Sequence, residues 1–470
     1  MRIESYINKS VTDNLEQIAV KENNKSYSYR ELKRKSDYYF DFIKKTSCSK
    51  SVNIIIYMKK SFNYIALIYA ILRNKSTYIP LDHAITLSQL KSIINSTDPC
   101  LIFSDVKCPA VDMNSIWVNI YQEFPKIINN SCSKGNPNVA YILFTSGTTG
   151  KPKGIEISHK ACLSFVQWSI NELKIESQNV FSSHAPFTFD LSVFDIFASL
   201  LSGGTIAIMP PGINAFLKSV EKYIIEEKIT IWYSVPSIIM KLLDRDYGQI
   251  FKNVKILIYA GESMPISYAK RILSMYRHMR VYNFYGPTET NVITYFRLAN
   301  LDNNMNEVPI GYACPYATIR IMDYDAEIVE NGGVGELCVK TETIMQGYHG
   351  GKPFLDEYYR TGDLVKIVND KCYEFIGRID NMVKVNGFRV ELEEIDRAME
   401  KHPLVKQSSA YVVKENNKDI IKVNYVSDCE LSDDELRQHL SEWIQSYKIP
   451  EQFTLCRELK LNERGKKVRI

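Results

Sequence analysis

The sequence predicts an α/β protein. It comprises a large N-terminal domain with two βα-type sheet subdomains plus a β-barrel-like subdomain, and a small α+β C-terminal domain. Short β-branched or aromatic runs alternate with helical periodicity over residues 53–103 and again over 180–285, the pattern of parallel sheets. From Ile310 to Phe375 the pattern changes to short alternating strands punctuated by Gly332-Gly333 and Gly350-Gly351, and a compact mixed tail follows from Glu391. At 470 residues the chain exceeds what one hydrophobic core serves, so more than one domain is expected.

In chain order, 53–57 reads as a buried strand, 61–73 as a helix, Thr77 to Pro80 as a strand, Ser88 to Ile94 as a short helix and Cys100 to Phe103 as a strand. Residues 104–137 carry Pro109, Pro125, Asn129-Asn130 and Pro137 and read as an irregular connector. Ser158 is placed to cap a helix running to about Asn171. The second series has strands at Val180–Ser183, Thr205–Met209, Ile229–Tyr233, Lys255–Tyr259 and Val281–Tyr285. Helices are expected at Leu191–Leu201 and near 216–228, 237–243 and 266–277. In the tail, Glu391–Lys401 and Asp433–Tyr447 are helical.

Hydrophobic content of 45% and charged content of 24% are those of a globular protein, and a net charge of +4 is too small to imply a nucleic-acid partner. Lysine pairs such as Lys44-Lys45 and Lys59-Lys60 read as solvated surface. Ten cysteines without a C-x-x-C argue against a zinc site or disulfide framework and fit a reducing cytoplasm. Cys314 and Cys338 read as core, and His184, before Pro186, as a structural histidine. No leader or 18-residue apolar run is visible, so a cytoplasmic protein without a membrane partner is expected.

The chemistry concentrates in Tyr141-Ile-Leu-Phe-Thr-Ser-Gly-Thr-Thr-Gly-Lys-Pro-Lys-Gly154. A buried strand runs into a loop with little side-chain bulk. Its glycines let backbone N–H groups converge, hydroxyls add donors and lysines add charge, which together make a phosphate cradle. No G-x-x-x-x-G-K-[ST] frame fits, and Pro152 would obstruct the helix that such a loop precedes.

Further segments are Asn283-Phe-Tyr-Gly-Pro-Thr-Glu289, Tyr359-Arg-Thr-Gly-Asp363, Gly377-Arg-Ile-Asp380, Phe187-Thr-Phe-Asp-Leu-Ser192 and Arg464-Gly465-Lys466-Lys467. With these in order, the chain resembles the ANL adenylate-forming superfamily over nearly its whole length. Within that superfamily it is most similar to stand-alone amino-acid adenylation domains of nonribosomal peptide synthetase type, such as L-prolyl and D-alanyl carrier protein ligases. The resemblance implies an N-terminal adenylation core over 1–379 and a mobile C-terminal lid over 380–470, hinged near Asp380. It implies ATP and Mg²⁺ as cofactors. Thr145, Ser146, Gly147, Thr148, Thr149 and Lys153 would hold the phosphates. Gly261, Glu262, Asn283, Phe284, Tyr285, Asp363 and Arg378 would hold adenine and ribose, with Asp363 taking the vicinal hydroxyls. Glu289 would be the metal carboxylate, with Thr288 at a phosphate. Lys466 would enter the site as the catalytic cation, with Lys467 as its competitor for that role. Asn386 departs from the family's more frequent arginine before Gly387.

Substrate choice would rest on Asp190, Leu191, Phe194, Tyr233, Ile258, Ala260, Phe284, Val292 and Ile293. Members that activate amino acids carry an aspartate at Asp190 to pair with the α-ammonium. Its competing role is the N-cap of the helix beginning at Leu191. The remaining positions lack a second charge, so a neutral side chain is expected; Phe194, Phe284 and Tyr233 crowding inward make it small, and the likeness to prolyl and then alanyl carrier protein ligases implies L-proline before alanine. The chain ends shortly after Lys466, so a separate phosphopantetheinylated carrier protein is the expected acceptor and a monomer the expected state. The rival readings are an acyl-CoA ligase of the same fold, which Asp190 disfavours, and a non-catalytic adenylate-binding scaffold. The scaffold is expected to have lost Lys466, Glu289 or Asp363.

Overall fold

The computed structural model describes residues 2–459 apart from 48–49, 110–114, 126–133, 146–151, 211, 213–215, 246–248, 303–304, 306, 324–328, 330–331, 369–370, 380–381, 386–387 and 416–417. Contacts divide it into two compact units. One is made of Met1–Asp82, Thr97–Leu143 and Gly154–Gly377; the other of His83–Ser96, Phe144–Lys153 and the chain from Arg378 onward.

The chain begins with α1 (Ile3–Asp13), β1 (Ile18–Glu22), β2 (Lys25–Ser28) and α2 (Tyr29–Thr46). Ser28 caps α2 through a reciprocal bond with Glu31, and Lys44 and Lys45 sit in its last turn, where the helix dipole favours cations. Then come β3 (Asn53–Tyr57), α3 (Phe62–Arg73), β4 (Thr77–Leu81), α4 (Leu87–Thr97), β5 (Leu101–Ser104), β6 (Ile116–Asn119), β7 (Val139–Thr145) and β8 (Lys153–Ser158). The strands at 53–57, 77–81 and 101–104 agree with the sequence expectation to within a residue or two. Each is buried on both faces and is therefore a continuous apolar run. The connector is less irregular than expected, because Ile116–Asn119 extends the sheet as a parallel neighbour of β5. An isolated four-residue edge strand between prolines carries too little periodicity to read. Cys100 is disulfide-bonded, against the expectation for the cysteines; spacing says nothing about which thiols the fold brings together.

The second series is α5 (His159–Glu172), β9 (Val180–Ser183), α6 (Leu191–Ser202), β10 (Thr205–Ile208), α7 (Leu217–Glu226), β11 (Ile231–Ser234), α8 (Pro236–Leu243), β12 (Ile256–Ala260), α9 (Ile266–Met275), β13 (Arg280–Tyr285) and β14 (Thr294–Arg297). Ser158 caps α5 as expected, its hydroxyl accepting from the Ala161 N–H at 3.0 Å. α6 ends at Gly203, whose φ of +75° favours glycine and whose Cβ would lie 2.6 Å from the Asn14 side chain. β15 (Tyr312–Ala313), β16 (Ala317–Met322), β17 (Val334–Thr341), β18 (Gly347–Tyr348), β19 (Tyr359–Ile367) and β20 (Tyr373–Arg378) complete the first series of sheets. One sheet has the order β15-β14-β13-β12-β11-β9-β10-β1-β2, a second β18-β8-β7-β4-β3-β5-β6, and a third β16-β17-β19-β20. Cys314 and Cys338 are buried, as expected.

From Arg378 onward, β21 (Met382–Val385) and β22 (Phe388–Glu391) form a hairpin that leads into α10 (Leu392–Met399). β23 (Val405–Glu415), β24 (Lys418–Ser427), α11 (Asp433–Ser441) and β25 (Gln452–Leu455) follow. This is the α+β tail that the sequence predicts. Its core includes Ile395, Met399, Val423 and Leu436, and the buried Lys448 ammonium is neutralised by Glu394 at 2.7 Å.

Candidate active site

The apolar half of the site follows from strand register. β11, β12 and β13 are parallel, with Tyr233 opposite Ile258, Ile258 opposite Tyr282 and Ala260 opposite Phe284. Side chains alternate across a sheet, so Tyr233, Ile258, Ala260 and Phe284 share one face. They join the core that also holds Phe194 and Val292, whereas Trp232, Leu257, Tyr259 and Val281 belong to a core on the other face. Leu191 packs against the first core, partly buried. Ile293 does not join it; it packs with Tyr285, Ile310 and Leu337. Asp190 precedes α6 at the N-cap position, but its backbone is already helical and its side chain makes no capping bond. The capping alternative is therefore not realised. Burial first, and then the charges of Asp190 and Asp195, hold the Tyr233 phenol well above its ordinary pKa.

The segment carrying Asp190 is anchored by a residue that the sequence reading assigned to solvated surface. Lys60 turns inward. Its ammonium donates to the carbonyls of Ser183, His184 (3.3 Å) and Ala185 (3.4 Å) and lies 5.8 Å from the Phe187 ring centroid. Burial, opposed by the charge of Asp195, lowers its pKa to about 8. The Asp195 carboxyl is buried in α6, neither oxygen is hydrogen-bonded among the described residues, and burial raises its pKa well above the usual range, opposed by Lys60. The available signal was position: Lys60 follows the end of β3, just before the α3 cap Ser61, where a parallel sheet gathers its loops. The His184 Nδ1 is hydrogen-bonded to the Ser234 hydroxyl at 3.1 Å.

The polar half is built from turns. Tyr285, one residue beyond Phe284, points to the opposite face, where its hydroxyl donates to the Asp363 carboxylate. Asp363 is buried in β19, and its N–H donates to the Thr361 hydroxyl at 3.1 Å. The Glu336 carboxylate holds that stretch of β19 through the Gly362 N–H at 3.0 Å and the Arg360 guanidinium. Asn283 is buried, and its amide donates to the Pro309 carbonyl at 2.8 Å. Gly261, at φ +93°, precedes Glu262, whose carboxylate accepts from the Ser237 N–H at 2.9 Å in the first turn of α8. Gly286 permits the turn after β13, since a Cβ there would lie 1.7 Å from the Asn291 carbonyl oxygen. Thr288 is partly exposed, and Glu289 is 1% exposed with its carboxylate accepting from the Tyr348 hydroxyl at 3.0 Å. The strand of Tyr348 pairs with β8, so one short segment touches both Glu289 and β8. The sequence reading missed Tyr348.

Among the described residues, no group of three or more His, Cys, Asp and Glu forms a ready-made metal site. Glu289 nevertheless suits a hard cation that brings its own phosphate ligands, being a buried, oriented carboxylate. Thr145 closes β7 and Lys153 opens β8, while Ser146, Gly147, Thr148 and Thr149 lie outside the described residues, as do Asp380 and Lys466. Arg378 ends β20.

A βα core that carries an apolar face and a polar face on opposite sides of one strand, in a chain that also holds the Gly/Thr-rich segment 145–154, points to a nucleotide-dependent activating enzyme. The chain belongs to the AMP-binding enzyme family, whose model matches residues 7–349, and the ANL resemblance is borne out. An L-proline--[L-prolyl-carrier protein] ligase of Pseudomonas fluorescens is 30% identical, covering 96% of this chain and 94% of that protein. A D-alanine--D-alanyl carrier protein ligase of Listeria monocytogenes is 28% identical, covering 93% of this chain and 92% of its own length. The fold is shared with a solved holo NRPS protein containing adenylation and PCP domains, bound to a vinylsulfonamide inhibitor. Its TM-score is 0.85 at 21% identity, covering 99% of this chain and 83% of that one.

Proposed function

We propose that this protein activates a small neutral amino acid, L-proline by preference and alanine next. The amino-acid carboxylate attacks the α-phosphorus of ATP, pyrophosphate leaves, and the aminoacyl group of the resulting adenylate passes to the phosphopantetheine thiol of a separate carrier protein. The observation that carries this is Asp190: a carboxylate at the start of the helix that brings Leu191 and Phe194 to the apolar face, not used to cap that helix, supports recognition of an α-ammonium. Phe194, Tyr233, Phe284, Ile258, Ala260 and Val292 supply the side-chain surface, and the absence of a second charge among them disfavours charged substrates.

Tyr285 and Asp363 would receive adenosine, and Thr145 to Lys153 the outer phosphates. Glu289 would hold Mg²⁺, which when bound offsets phosphate charge. Lys466 would supply positive charge at the α-phosphate, and rotation about Asp380 would withdraw it for thioester formation. This reading has the protein acting in the cytoplasm as a monomer, without nucleic-acid or membrane partners. Among the described residues, no helix is long and apolar enough to cross a membrane. The deciding experiment is amino-acid-dependent ATP–pyrophosphate exchange over the proteinogenic amino acids, followed by discharge onto carrier protein or CoA. Exchange with none of them would sink the amino-acid reading, and discharge onto CoA alone would favour an acyl-CoA ligase.

A further inference from the structure

The apolar face is closed by two residues that the sequence reading did not assign to it. Phe165 and Trp168 stand three apart on α5, hence on one side of that helix, and α5 packs against α6. Their rings complete a circuit with the strand aromatics. Phe165 lies 6.5 Å from Phe194, Phe194 5.6 Å from Tyr233, Tyr233 6.0 Å from Phe284, Phe284 5.3 Å from Trp168, and Trp168 6.4 Å from Phe165. Two of these contacts, those of Tyr233, are edge-to-face. Such a ring is rigid, because each aromatic is fixed by two others rather than by a flexible stem.

Trp168 is the outermost member. Its ring also meets Tyr295 at 5.1 Å and Tyr316 edge-on at 5.6 Å, and the Tyr316 hydroxyl donates to the Val292 carbonyl at 2.7 Å. It therefore links Phe284 on β13 to the segment carrying Val292. Its indole N–H is buried and has no acceptor among the described residues. No hydrogen bond holds the indole, so packing alone sets its position, and truncation removes volume without stranding a partner.

We infer that Trp168 is a specificity-determining residue: it limits the amino acid to a compact apolar side chain about as large as a pyrrolidine ring. The inference rests on the amino-acid reading above and adds the element that fixes substrate size. Lining the wall from α5 means that size is set by a helix outside the three strands that supply most of the pocket. An aromatic wall also favours ring C–H groups, whose contact with a π face is attractive.

The test is ATP–pyrophosphate exchange by the full chain with L-proline, L-alanine, L-leucine and L-phenylalanine, comparing wild type with Trp168→Ala and Trp168→Phe. In Trp168→Ala, the ratio of kcat/KM for L-leucine or L-phenylalanine to that for L-proline should rise on the order of 10- to 200-fold, with KM for ATP within about threefold of wild type. Trp168→Phe should shift the ratio in the same direction by less, and it carries the test if the alanine variant fails to fold. A ratio unchanged in a variant that still exchanges with the small amino acids overturns the role of Trp168 and leaves the activity assignment standing. Wild type exchanging with no amino acid overturns both. Wild type preferring L-leucine or L-phenylalanine overturns the size limit alone.

Discussion

Phe284 and Tyr285 are neighbours on one strand, yet they serve two surfaces built on opposite principles. Phe284 faces a core of aromatic and aliphatic side chains held by packing. Tyr285 faces a carboxylate, Asp363, in a stretch of β19 that is itself held by a second carboxylate, Glu336. The apolar surface gains from water exclusion, which grows with area and tolerates exchange of similar shapes. The polar surface gains from acceptors oriented in advance, and each lost partner leaves a buried group unsatisfied. Under the proposed function, selectivity for side-chain size can therefore drift on the first surface while nucleotide binding by the second is unchanged. Period-two alternation lets a single strand carry both.

The largest break should come from the polar side. In Gly286→Ala the new methyl meets the Asn291 carbonyl oxygen; overpacking of this kind costs about 1–3 kcal/mol or more and shifts the segment carrying Glu289. Exchange should be lost for every amino acid alike, and equilibrium ATP binding should weaken with it. Intact ATP affinity in a folded variant would show that the turn does not organise the nucleotide side.

Asp190→Ala should act on the other surface only. Removing one member of a desolvated charge pair costs about 2–5 kcal/mol, so KM for the amino acid should rise on the order of 30-fold or more while KM for ATP stays within about threefold. Proportional change in both constants would contradict the division between the surfaces.

Lys60 tests how the apolar side is positioned. Lys60→Met should raise the amino-acid KM by roughly tenfold, the loss of one charged hydrogen-bonding group, and Lys60→Arg should restore most of it. Above about pH 8 the wild-type ammonium gives up its proton, so the wild-type KM should climb from that point and the Arg variant's should not. Asp195 and His184 are the titratable neighbours of this ammonium, and the phenols of Tyr223 and Tyr233 near Asp195 are held well above the ordinary value. For stability the sign is reversed. The folded pKa lies below the unfolded one, so the unfolded chain binds more protons between about 8 and the ordinary 10.5, and stability rises with pH across that window. Denaturant titrations of wild type against Lys60→Met would register the difference, and an identical pH dependence would place the lysine in solvent.

The smallest effect belongs to Tyr348→Phe. It removes one hydrogen bond to Glu289, worth about 0.5–1.5 kcal/mol. Binding of ATP in the presence of Mg²⁺ should weaken severalfold while binding of Mg²⁺-free ATP is unchanged. Equal weakening of both would mean that Tyr348 supports the fold rather than the metal carboxylate.

Much of this organisation is legible without coordinates. Strands buried on both faces and helices with strong caps announce themselves, and Asp190, Glu289 and Asp363 lie in motifs whose order alone identifies the family. Four positions of the proposed site escaped because their meaning depends on partners remote in the chain. Lys60 reads as half of a surface lysine pair until Ser183, His184 and Ala185 are brought to it. Phe165 and Trp168 read as helix core until α5 is laid against the strand aromatics. Tyr348 reads as a turn residue until its strand pairs with β8 beside Glu289.

By itself, then, the sequence determined the α/β class, the strand and helix positions in the two βα series, and the family. These are written in local periodicity, turn residues and short segments. Only the tertiary structure decided that Asp190 does not cap its helix, that Ile293 packs away from the apolar face while Val292 joins it, and that Lys60 points inward. It also decided that the aromatics of α5 and α6 close a ring with those of β11 and β13. The reason is physical: side-chain direction and burial are set by register and by what packs opposite, and those pairings join residues more than a hundred positions apart.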